Sequence, residues 1–350
     1  MHPRFLTILA VAILSANAAR LQAEQPVTLE NVSDPGANRL DEPKAPEFSL
    51  KKAVRFLDSA SLQWQKKRKC FTCHTNYAYL YARPLVSADA PAHRSVRDFA
   101  EELVQDRWKV KGPRWDAEVI ATAAALAFND AKTTKKLHPA TRAALDRMWT
   151  VQRKDGGWNW LKCGWPPMES DDDYGVVLAA LATVAAPGNY AAEPQAQAGL
   201  DNLRTYLKKN PPPTLHHEAM LLWAASYRAD LMPEKERRAV IQKLSALQKQ
   251  DGGWALASLG DWKRADGKTQ DFKNSDGYAT GFVTYVLQRA GVKKTDPRIV
   301  ASVAWLKHNQ RESGRWITRS LNKDNKHFIS HAGTAFAVMA VAEFEAAKEK

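Results

Sequence analysis

Only three cysteines occur in 350 residues, too few to staple a small-core scaffold with disulfides. Long β-branched alternations are missing, which argues against an extended sheet. Helix-turn-helix and zinc-finger spacings are missing as well, and Lys and Arg are spread along the chain, so nucleic acid is not expected as a partner. Beyond the first residues no uncharged apolar run is long enough to span a bilayer, and the mature protein is expected to be soluble. What remains is a chain that is 45% apolar, enough for a real core. Its net charge of +13 favours association with an anionic membrane surface or acidic polymers. Nothing in the sequence fixes an oligomeric state.

The N-terminus reads as an export signal over residues 1–18. His2 and Arg4 give a positive start, Phe5 to Leu14 is apolar, and Ala16-Asn17-Ala18 supplies small residues for cleavage after Ala18. The expected destination is secreted or periplasmic. Residues 19–49 are rich in Pro, Asn, Asp and Glu and read as a polar linker or surface strap. From residue 50 to 350 apolar residues fall at helical spacing, and one large domain is expected.

Internal repetition is the strongest signal. Gln152 to Trp158 reads QRKDGGW, Gln248 to Trp254 reads QKQDGGW, and Gln310 to Trp316 reads QRESGRW. Each copy follows an amphipathic helix and precedes a small-residue-rich apolar one. Degenerate units begin near Lys52, Ser95 and Gln195, with second helices predicted over His74–Arg83, Asp116–Phe128 and His216–Arg228. The total is six helix pairs. The first helix of each is charged and the second nearly uncharged, which implies an outer solvated ring and an inner buried one. In the repeated element, glycines allow a tight exit from the outer helix, Gln binds exposed helix-end groups, and Trp fills the gap between pairs.

The Q-x-x-x-G-x-W element resembles the signature of the squalene cyclase and protein prenyltransferase repeat family, over roughly residues 50 to 346. That resemblance implies an all-α, terpenoid-cyclase-like α/α toroid with an apolar cavity that takes an isoprenoid or another apolar small molecule. It also implies that the inner helices share one direction, so that His74, Asp116, Asp171, Asp172, Asp173, His216, His217, Asp276 and His331 gather at one mouth. Asp and Ser at such positions also serve as helix caps. The cyclase proton donor has its counterpart in Glu169-Ser170-Asp171-Asp172, an ExDD tract in which Asp171 takes the donor position. Glu169, Asp171 and Asp172 are therefore the candidate catalytic residues. The prenyltransferase zinc ligands map to Asp276 and His331, but Tyr278 stands where the cysteine would be. That departure removes the thiolate.

Cys70-Phe71-Thr72-Cys73-His74 is C-x-x-C-H, the attachment pattern of a c-type haem, with His74 as the iron ligand. A Cys70–Cys73 disulfide and a Cys/His metal clip are the competing readings. For a sixth iron ligand the candidates are His216, His217, His331 and Met168. Cys163 reads as a lone thiol. Tyr77, Tyr79, Tyr81, Tyr174, Trp223, Tyr227, Tyr278, Phe282 and Tyr285 fall on or near the cavity wall, where rings stabilise cations or simply pack. Four functions follow: a haem-bearing redox or apolar-ligand protein, a haem-free cyclase using the acidic tract, a toroid polysaccharide lyase using Tyr, His and Arg, and a non-enzymatic scaffold.

Overall fold

The structure, a computed structural model, describes residues 25–324 and 327–346. The export signal expected over residues 1–18 lies outside the described residues. Six helical hairpins form the chain. The outer helices are α1 (Leu50–Arg68), α3 (Pro91–Glu102), α5 (Pro139–Thr150), α7 (Pro194–Lys209), α9 (Glu234–Ala246) and α11 (Pro297–Asn309). The inner helices are α2 (a π-turn at Cys73–Tyr77 continuing as Ala78–Ala82), α4 (Asp116–Lys132), α6 (Asp172–Ala185), α8 (Leu215–Ala225), α10 (Gly277–Arg289) and α12 (Ile329–Ala346). Each inner helix packs on the next, and α12 returns to α2 to close the ring. The toroid and its six pairs agree with the pattern of charged and uncharged helices. No described helix is long and apolar enough to cross a membrane.

The three repeated elements share one geometry. Gln152 Nε2 donates to Gly156 O and to Gly199 O on α7, both at 3.0 Å. Gln248 Nε2 donates to Gly252 O at 2.8 Å and to Arg298 O on α11 at 2.9 Å. Gln310 Nε2 donates to Gly314 O and to Ser49 O, both at 2.9 Å. Each glutamine thus ties its own turn to the start of the following outer helix, and the third copy ties the last hairpin to the first. The tryptophans point inward, fully buried, and Trp158, Trp254 and Trp316 donate Nε1–H to Met148, Leu244 and Leu306 carbonyls. Gly252 and Gly314 have φ of +89° and +93°. A Cβ there would stand 2.7 Å from Ala301 O and 2.3 Å from Lys52 O on the next outer helix, so glycine is needed for both conformation and approach.

Residues 25–49 run as a strap across the seam between last and first hairpins. Arg315, 2% exposed, pins it. Its NH1 donates to Ala37 O at 3.0 Å and Asn38 Oδ1 at 2.7 Å, its Nε lies 3.2 Å from Glu42, and its guanidinium stacks on Phe56 at 4.5 Å. Ala45 N donates to Gln310 O at 2.8 Å beside a Lys44–Arg311 bridge.

Candidate active site at the mouth of the ring

The inner helices begin at one end of the ring, and three of their start signals are side-chain caps. Asp171 accepts from Tyr174 N at 3.0 Å, Thr214 from His217 N at 3.4 Å, and Asp276 from Ala279 N at 2.9 Å. Asp116 is the first residue of α4. The predicted acids and histidines therefore sit at the mouth, where they resolve into two groups.

The first group joins α6, α8 and α10. His216 Nε2 and Tyr278 OH share a hydrogen bond of 2.9 Å. The His216 ring lies between Phe282 (4.7 Å, 22°) and Tyr174 (6.2 Å, 19°). Its Nδ1 is buried with no partner among the described residues. Burial holds the His216 imidazole well below its usual pKa, helped by the neighbouring His217; the ring is neutral. Next to it, His217 Nδ1 meets Thr214 Oγ1 at 2.7 Å, and Nε2 lies 3.0 Å from Asp171 Oδ1, off the hydrogen-bonding direction.

The acidic tract takes roles other than those the resemblance implied. Burial raises Asp171, but His217, Tyr174 N–H and Ser170 outweigh it and keep its carboxyl below the usual range. Asp172 is likewise held low, against burial, by Trp160 N–H, Arg153 and Lys162. Neither retains a proton to donate near neutral pH, so the cyclase-type donor at Asp171 is corrected to a helix cap and histidine partner. Glu169 is raised by burial, while its bond to Cys163 opposes the shift, and Asp173 at the other end of the run is raised by burial as well.

The second group is a hydrogen-bonded chain at the ring seam. Arg315 can only donate, so Asn38 accepts through Oδ1 and offers Nδ2 to His331 Nε2 at 3.0 Å. His331 Nδ1 then meets Thr75 Oγ1 at 3.0 Å, and Thr75 meets His74 Nδ1 at 2.8 Å. Burial lowers His331 to about 3 and His74 to about 4. Thr75 and Asn38 carried no motif, and Arg315 was read only as part of the third repeated element; only the fold assembles them around the two predicted histidines. Asp276 and His331 do not share a zinc site, since Asp276 binds Ala279 N, Leu256 N and Thr318 Oγ1.

Between the groups lies the ring axis, lined by Tyr77, Tyr81, Tyr174, Trp223, Tyr278 and Phe282 together with Cys73, Met168 and Met220. The cavity left is about 10 Å³, room for about one water. Tyr79 turns away to donate to Asp58 at 2.7 Å, and Tyr227 packs under Arg289 at 5.1 Å. The axis has no space for an isoprenoid. C-x-x-C-H does not fit a haem either: Cys73 faces this closed space, and the His74 ring is wedged between Trp64 (5.0 Å) and Phe328 (5.4 Å). Among the described residues no cluster of three or more His, Cys, Asp or Glu is placed to hold a metal ion, which also removes the metal clip.

A lid closes the mouth above His216. The segment from Leu256 to Ser275 brings Trp262 to 6.2 Å from the His216 ring. It is latched to the segment after Trp316. Asp324 takes Arg319 at 2.7 and 2.9 Å, Arg264 at 2.8 Å and Lys268 at 3.0 Å, and the Arg264 side chain is fully buried. Gln270 Nε2 donates to Trp262 O and Leu321 O, both at 2.9 Å. Asp324→Ala leaves the buried Arg264 paired with Asp266 alone, at 2.8 and 2.6 Å, and removes one charged hydrogen bond from it, which costs about 1.5–3 kcal/mol. Hydrogen exchange should show faster amide exchange over residues 260–275, with helix α4 unaffected; equal protection in both proteins would mean the latch is not what holds the lid.

No protein-family model matches the chain, and no curated protein matches it in sequence. Solved structures do. A polysaccharide lyase superposes with a TM-score of 0.53 at 11% identity, covering 86% of this chain and 99% of that one. The α-1,6-mannanase GH76A of Salegentibacter sp. HEL1_6 gives 0.51 at 11% identity, covering 85% and 100%. An inactive variant of that mannanase in complex with α-1,6-mannotriose gives 0.52 at 10% identity, covering 85% and 100%. At these identities the likeness defines the fold, and this chain is an α/α-toroid protein. The squalene cyclase and prenyltransferase resemblance is overturned: the toroids just named are a polysaccharide lyase and an α-1,6-mannanase, and the Q-x-x-x-G-x-W elements of this chain serve as ring staples around a filled axis.

Proposed function

We propose that this protein is an exported polysaccharide lyase whose site is the His216–Tyr278 pair. The observation that carries the reading is the 2.9 Å bond between a neutral imidazole and a phenol, with His216 Nδ1 unpartnered among the described residues. With Nε2–H donating to Tyr278, Nδ1 keeps an open lone pair and the phenol proton is free to leave. β-Elimination needs both. Nδ1 takes the proton on the carbon next to a uronate carboxylate, and the electron pair forms a C=C bond. The glycosidic oxygen departs from the neighbouring carbon with the Tyr278 proton. His217, held by Thr214 and Asp171, orients the end of α8. The net charge of +13 draws an acidic polymer to the protein, and the lid must lift for a sugar to reach the pair.

The test is a panel of uronate polysaccharides followed by ultraviolet absorbance of the unsaturated sugar. Absorbance should rise with the wild-type chain and slow by about 10²–10⁴-fold in His216→Ala and in Tyr278→Phe. New reducing ends without absorbance would replace elimination by hydrolysis. No cleavage of any substrate would remove the proposal.

A further inference from the structure

Beside the lid, and separate from the closed axis, an open cleft of about 260 Å³ lies between the strap, the lid and the segment after α11. That is below the ~300 Å³ at which sites for drug-sized ligands begin, so it suits a single ring. Its polar wall carries Arg311, Gln270, Asp271 and Asp276, and its apolar wall carries Leu40 and Ile317.

Two of these groups are unexplained by folding alone. Leu40 is 46% exposed on the strap, one of few large apolar side chains left in water. Arg311 donates NH1 to Glu42 O at 2.7 Å, but its buried Nε has no partner among the described residues. A buried donor left unmade costs free energy that a ligand oxygen would recover. Gln270 uses its N–H groups on Trp262 O and Leu321 O, which leaves its carbonyl oxygen to accept. Asp271 spends its oxygens on Lys273 and Asn274 of its own turn, half-buried at the wall.

Donors, acceptors and an aliphatic face in one small cleft match a pyranose ring, whose hydroxyls donate and accept while its C–H face is apolar. Charge narrows the class. Arg319, the other cation of the cleft, is paired with Asp324 through two bonds, and the two aspartates oppose a second carboxylate. We propose that this cleft binds one uncharged pyranose unit, so that a neutral sugar flanks the unit cleaved at His216–Tyr278. The inference rests on the glycan reading, and it adds that the substrate is not a pure polyuronate. Because Gln270 also holds the lid through Trp262, a sugar here bears directly on lid position.

The experiment is saturation-transfer NMR on the full chain carrying His216→Ala, which separates binding from catalysis. The probes are methyl α-mannoside, methyl α-galacturonate and inorganic phosphate. The neutral pyranoside should receive saturation, with affinity falling about tenfold or more in Arg311→Gln. Asp271→Asn, at the half-buried wall, is the second variant; removing its charge should relax the exclusion of galacturonate while the mannoside still binds. Thermal melts verify that both variants are folded. Stronger binding of galacturonate or phosphate than of mannoside would overturn the proposal in favour of an anion site. No saturation of any pyranoside, or equal signals in both folded variants, would overturn it outright, whether or not the wild-type chain cleaves polysaccharide.

Discussion

Acidification from about pH 7 to pH 4 is expected to unfold this protein. His331 and His74 are depressed by burial to about 3 and about 4, and His216 lies well below its usual value. In the unfolded chain all three return to ~6.5. A depressed histidine contributes stability that is present above the unfolded pKa and lost as pH falls toward the folded one. Each histidine therefore removes about 1.4 kcal/mol per pH unit below ~6.5. Asp276 acts with the opposite sign: burial raises it to about 6, so its contribution is present at low pH and lost as pH rises through about 6. It offsets one histidine in that window. The net loss, about 3 kcal/mol per unit, exhausts a typical stability of about 5–15 kcal/mol within a few pH units. Chemical denaturation at a series of pH values measures the slope. His331→Asn should flatten it by about one histidine's share; a midpoint constant between pH 7 and pH 4.5 would show that these rings are not buried neutral.

Trp254→Ala should cost about 3–5 kcal/mol, the range for emptying a large aromatic site. The side chain is fully buried, and its Nε1–H satisfies Leu244 O at 2.7 Å at the end of α9. Trp254→Phe keeps most of the volume and removes only the indole bond, while Leu247 N still donates to that carbonyl at 3.2 Å, so a smaller loss of about 1 kcal/mol is expected. Urea unfolding with fitted slopes separates the two. A cost below 1 kcal/mol for the alanine variant would mean that the ring is not stapled through this residue. Adjacent Gly252→Ala reports the backbone half of the same element, because its Cβ would meet Ala301 O at 2.7 Å from a φ of +89°.

The staples explain why the fold was legible. Gln, Gly and Trp in the element each act within about ten residues or on the next hairpin, so a fixed spacing along the chain carries the whole geometry. The chemistry attached to that element by resemblance was not legible, because the same staple closes a ring whatever fills its axis. Cys73 and His74 show the limit from another side. Their spacing matches a haem site, yet Trp64, Phe328 and the aromatic axis occupy the space the group would need.

The mouth was half legible. Asp and His at the starts of inner helices were readable, since a helix start is a local event with local caps. Their partition was not. His216 reaches Tyr278 across 62 residues, and His331 reaches Asn38 across 293. The sequence by itself determined the six hairpins, the staples and the ring of acids and histidines, all set by periodicity and near-neighbour bonds. Only the tertiary structure decided that Asp171 is a cap held ionised, that His216 is a neutral imidazole beside a phenol, and that Trp262 packs over the mouth. Those outcomes depend on burial and on contacts between segments far apart in the chain, and these exist only once the ring has closed.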